Sequence, residues 1–196
     1  MKNLLPLPVV KCVLFCSLFV WMAGCSSVAP IVKRTANAQS SDSVVWTANL
    51  RADDQANRYR VALKTPDNSI TGLCILKKID DEWRGQLMNE MGAKAFDFIV
   101  TDGKCELLNV ISMMDKWYIK KTIAADLHFL FNVDNPNAPF RKKPERFVQN
   151  DVQVVNYQKK QLLVKPDGSV LLINRRHSLQ YELRKIFEID PDKVIL

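Results

Sequence analysis

Much of what usually announces chemistry is scarce or missing in this chain. It has only two histidines, His128 and His177. It holds no Gly-x-Ser-x-Gly elbow, no His-Glu-x-x-His helix and no phosphate-cradling glycine loop. Cys74 and Cys105 do not form a Cys-x-x-Cys pair, and no cluster with metal-ligand spacing is visible. No fixed-period repeat occurs. These absences point away from an enzyme, a resident metal and a bound cofactor. Asn89, Glu90 and Asp97 flank one turn and read as a turn plus a polar strand residue rather than a carboxylate pair. Glycine is also sparse, at 6 of 196 residues with 9 prolines, while 47% of residues are hydrophobic and 25% charged, which excludes collagen, coiled coil and wholesale disorder. The net charge of +7 is a modest basic excess.

What is present begins with an address. Lys2 and Lys11 give a positive start, Cys12–Met22 is an apolar run too short for a stable membrane helix, and Ala23-Gly24-Cys25 follows. Small residues before a cysteine at that place resemble a bacterial lipobox, with Met22 where leucine is usual. The resemblance implies a signal peptide over 1–24, cleavage before Cys25 and a diacylglycerol on its thiol. Ser26 and Ser27 lack the aspartate that retains such proteins in the inner membrane of enterobacteria. The implied location is the outer membrane, lipid-anchored, on the periplasmic face. Nucleic acid is then not an expected partner. Cys74 and Cys105 are left in an oxidising compartment, either paired or as two buried thiols.

Residues 25–43 read as a lipidated tether, since Pro30–Ser43 is rich in Ser, Ala and Asn. Residues 44–196 read as a single β-rich domain. Apolar residues alternate with polar ones over 44–51 and 59–64, the mark of half-buried strands. Further strands are expected at 70–79, 82–88, 94–101, 104–111, 146–157, 161–165, 169–175 and 179–187. Thr65–Ser69, Asn89–Gly92, Asp102-Gly103 and Pro166–Gly168 separate them, with Gly92 and Gly103 placed for positive φ. One strong helix is expected, capped by Asp115, with Ile119, Ile123, Leu127 and Leu130 on one stripe and an end near Asn132.

Several strands are apolar on both faces: Leu73 and Ile75 oppose Cys74 and Leu76, and Leu171 and Ile173 oppose Val170 and Leu172. One helix cannot cover both faces of so large a sheet. The expected fold is mainly β: an antiparallel meander curled into an open half-barrel, with the helix in or over its concave face. The pattern leaves open whether the interior is hollow or filled. The run Arg141-Lys142-Lys143 beside Phe140 is either a solvated loop or a contact for anionic lipid head groups. Trp117-Tyr118 is either a lid edge or core plus rim.

Gly72–Lys77, Arg84–Gly92 and Lys94–Phe98 resemble the central strands of LolA-like and LolB-like lipoprotein carriers and receptors. That resemblance implies an apolar cavity that accepts acyl chains or lipoproteins without catalysis. Its lining candidates are Leu73, Ile75, Phe96, Phe98, Ile119, Ile123 and Leu127. The receptor exposes an apolar residue on a protruding loop, whereas Ile79–Trp83 here is short and acidic, leaving Met88 or Met91 as substitutes. The alternative is a structural or adaptor lipoprotein of an envelope complex, with a filled core.

Overall fold

The computed structural model describes residues 29–41 and 56–186. The lipobox, Cys25 and the strand expected at 44–51 lie outside them. The described strands are β1 (Gln39–Ser40), β2 (Asn57–Lys64), β3 (Ser69–Ile79), β4 (Glu82–Asn89), β5 (Lys94–Val100), β6 (Cys105–Leu108), β7 (Glu145–Gln149), β8 (Val152–Tyr157), β9 (Lys160–Val164), β10 (Val170–Asn174) and β11 (Leu179–Lys185). The one helix among the described residues, α1 (Trp117–Asn132), joins β6 to β7.

The sheet order is β1-β7-β8-β9-β10-β11-β2-β3-β4-β5-β6, with every neighbouring pair antiparallel. Two five-strand meanders, β2–β6 and β7–β11, are therefore fused where β11 pairs with β2. β1 and β6 remain at opposite edges, so the sheet is open, and the expected half-barrel is what forms. α1 must carry the chain from β6 to β7, and so it crosses the opening. Its side chains reach both walls. Asn132 Nδ2 donates to Thr101 O at 2.9 Å on the β5–β6 side, and Phe129 stacks on Tyr157 of β8 at 5.6 Å between centroids.

Alternation along the strands decides which side chains enter the core. Tyr59, Val61 and Leu63 of β2 meet Cys74 and Leu76 of β3 on the concave side. Leu87, Phe96, Phe98, Val100, Leu172 and Leu183 continue the same layer, and Ile123, Leu127 and Leu130 of α1 pack onto it. Gly85 sits opposite Phe98, whose ring would lie 2.1 Å from a Cβ at that position. A bare backbone here lets the ring cover the strand.

A smaller apolar layer lies on the convex side. Phe147, Val154, Leu163 and Ile173 pack there with Ala29, Val32 and Ala38. Residues 29–41, expected as a tether, thus lie along the sheet. Gln161 accepts from Val32 N at 3.0 Å and donates to Val32 O at 2.8 Å, imitating a strand partner. Gln149 accepts from Thr35 N at 3.0 Å, and the chain then turns so that β1 pairs back along β7.

Local differences from the expected elements have local causes. The stretch expected as one strand over 146–157 is two, because Asn150 and Asp151 adopt φ 51° and 59° and close a tight turn. Gly92 has φ 81°, as expected, whereas Gly103 is outside the left-handed region. Gly168, at φ 76°, takes that role in the β9–β10 turn. Asp115 does not cap α1; Lys116 occupies the N-cap in an extended conformation with no side-chain cap bond. The Asp115 carboxylate is instead paired with Lys120 at 2.5 Å.

Candidate functional site

α1 meets the concave face through an apolar hollow. Val61, Leu63, Cys74, Leu87, Phe96 and Phe98 line it from the sheet, together with Tyr181 and Leu183. Leu127, Leu130 and Phe131 line it from the helix. Its volume is about 30 Å³, room for one water molecule and far less than an acyl chain occupies. Phe131 tilts against Phe98 and Trp83, each at 5.8 Å between centroids, so aromatic rings close its sides.

Of the expected lining residues, Phe96, Phe98 and Leu127 border this hollow. Ile123 is buried beside it, and Ile119 packs against the core partly buried. Leu73 and Ile75 do not belong to it. They lie on the convex side, opposite Arg60 and Met88 and opposite Arg58 and Gln86 respectively. The period of two forces this once Cys74 and Leu76 turn inward.

A second space lies over the outer side of α1, between β6 and the β8–β9 turn. It is an open groove of about 390 Å³. Phe129, Phe140 and Tyr157 form its aromatic wall, with His128 and Cys105 beside them and Lys104 and Lys160 at the rim. Phe140 stands 5.0 Å from the Tyr157 ring and 6.0 Å from the Phe129 ring. Phe140, whose neighbourhood the sequence left open between a solvated loop and a contact for lipid head groups, is partly buried by this aromatic packing. Arg141, Lys142 and Lys143 beside it are exposed.

One polar cluster pins α1 to the sheet. Asp126 is fully buried. Asn174 Nδ2 donates to both its carboxylate oxygens at 2.8 and 2.9 Å, and the Tyr181 hydroxyl donates to Oδ2 at 2.9 Å. Lys160 Nζ lies 2.8 Å from Oδ1 and donates to Ala125 O at 2.6 Å. Burial, and then the Asp126 charge, push the Tyr181 hydroxyl well above its ordinary pKa. These groups satisfy one another, and the arrangement can hold the helix at one depth and rotation. Sequence reasoning did not single out Asp126. The available signal was an acid on the apolar stripe, three residues after Ile123 and four before Leu130.

His128 is occupied elsewhere, its Nε2 3.0 Å from Asp102 O. Cys74 and Cys105 are free thiols, each pushed up to about 12 by burial. Asp97 is tied to Gln86, Lys94 and Asn109, while Glu90 is exposed at the turn. Among the described residues, no three His, Cys, Asp or Glu side chains gather as a metal site.

The described residues form an open antiparallel half-barrel plugged by a polar-pinned helix. None of the family models matches the chain, and no curated protein sequence does.

Proposed function

We propose that the chain is a lipid-anchored envelope protein that accepts an acyl chain, free or carried by a lipoprotein, between α1 and the concave face. The observation that carries this reading is the charge-free lining of that space, covered by one helix held at its middle by one polar cluster. Acyl chains need no catalytic group; each CH₂ leaving water contributes about 0.8 kcal/mol. The hollow is too small for a chain while α1 is seated. This form is therefore the unloaded one, and loading lifts α1 out of the opening it crosses.

Native mass spectrometry of the protein purified from cell envelopes tests this. A co-purified fatty acid or phospholipid mass, released on denaturation, is the expected result. A bare mass that stays bare when vesicles are offered contradicts it. That outcome favours the adaptor reading, which the small hollow and the exposed Met113, Trp117 and Tyr118 support.

A further inference from the structure

The strands run between two ends of opposite character. At one end, the turns carry Asp80-Asp81, Asp102, Asp151 and Asp167, all exposed, with Lys104 and Lys165 among them. The other end holds the start of α1 and the β4–β5, β8–β9 and β10–β11 turns. Lys116, Lys121, Lys159, Arg175 and Arg176 are exposed there. Arg141, Lys142 and Lys143 lead into β7 at this same end, because Glu145 pairs with Asn156 next to the β8–β9 turn. Among the described residues its acidic side chains are Asp67, Glu90, Asp115, paired with Lys120, and Glu145, paired with Arg34 at 3.3 Å, so the cations remain in excess.

Among the described residues, this basic end also presents the most exposed large apolar side chains. Met91 is 92% exposed at the β4–β5 turn, Trp117 73%, Met113 67% and Tyr118 50%. The loop before α1 joins that turn region through Ile111 N, which donates to Ala95 O at 2.9 Å. Trp117 and Tyr118 meet edge to face at 6.1 Å. Exposed aromatics among cations suit the head-group layer of a bilayer, where an apolar ring and a polar surround are both satisfied.

The course of residues 29–41 points the same way. Val32 is held by Gln161, near the basic end, and Thr35 by Gln149, at the aspartate end. From Val32 to Thr35 the chain therefore runs from the basic end towards the aspartate end. Cys25 is four residues before Ala29, and extended chain of that length spans at most ~14 Å. A lipid on Cys25 would leave little slack.

We infer that the basic end, with Met91, Met113, Trp117 and Tyr118, seats on the surface of an anionic phospholipid bilayer, the aspartate turns facing away. The inference rests on the lipid-anchored reading above. It assigns residues 29–41 the role of a short strap that sets orientation, rather than a long tether.

The test uses the full protein extracted from cell envelopes and placed on vesicles of brominated phosphatidylglycerol and phosphatidylcholine. Tryptophan fluorescence is compared with that of Trp117→Phe, so the difference reports Trp117. The expected result is about twofold quenching of that component, as for a ring at the head-group level. Quenching should weaken in Arg175→Glu/Arg176→Glu, whose exposed sites leave the fold intact by circular dichroism. Vesicle-bound, acylated protein with an unquenched Trp117 overturns the inference. Mass analysis of Cys25 separates the two readings. Unacylated protein whose Trp117 is still quenched keeps the surface and loses the anchor; unacylated protein without quenching loses both.

Discussion

Asp126 is the residue on which the position of α1 turns. A carboxylate with no exposure is stable only because Asn174, Tyr181 and Lys160 surround it. Removing it strands those partners, so Asp126→Ala should cost about 3 kcal/mol, read from the urea midpoint. Tyr181→Phe, which removes one donor, should cost about 1 kcal/mol. Titration adds a second prediction. Cys74 and Cys105 hold their protons to about 12, against an ordinary 9.0, and Tyr59 holds its own to about 12, against 10.0. The unfolded chain releases these protons first. Stability is therefore full below pH 9 and falls as pH rises towards 12. A melting temperature that stays flat over that window would contradict this. On the acid side, hydrogen bonding from Arg184 holds Glu182 below the ordinary carboxylate range. Asp97 is also lowered: burial pushes it up, but bonds from Asn109, Lys94 and Gln86 outweigh that. Their contribution is lost as pH falls below ordinary carboxylate values. At this scale the sequence was only partly legible. Phe96, Phe98 and Leu127 stood out, whereas Leu73 and Ile75 were assigned the wrong face. A strand apolar on both sides carries no mark of which side turns inward.

Elements were more legible than residues, because period and turn chemistry act locally. β2 through β6 and β9 through β11 lie close to where alternation put them. The Asn150-Asp151 turn escaped notice because it lacks glycine, although both residue types tolerate the left-handed region it needs. The outer position of residues 29–41 was not legible at all: polar composition looks like linker, and the Gln161 clamp is a long-range fact. Gln161→Ala should release that segment, seen as faster amide exchange over 29–41 with the strands of the concave core unchanged. A close approach gives another test. A Cβ on Gly72 would stand 1.9 Å from Met88 O, so the β3–β4 backbones would have to part. Gly72→Ala should therefore lose about 3 kcal/mol by thermal or urea unfolding.

At the scale of the whole molecule, one topological fact organises the rest. The two meanders fuse at β11–β2, and the chain passes from the last strand of one, β6, to the first strand of the other, β7, through α1. A helix placed this way is both the plug of the half-barrel and the part whose removal exposes the apolar face. The sequence made the half-barrel and its helix legible through ten strand-like segments and a single apolar stripe. It did not make legible how completely the helix fills the interior, since that depends on Phe131, Phe98 and Trp83 meeting from three distant segments. Hydrogen exchange on the purified protein, with and without a long-chain fatty acid, tests most directly whether α1 yields to a ligand. Loading should speed exchange at the α1 amides around Ile123–Phe131 and leave β2–β5 and β9–β11 protected. Unchanged exchange at α1 in the presence of excess fatty acid would mean the helix is permanent core and the half-barrel carries no acyl chain.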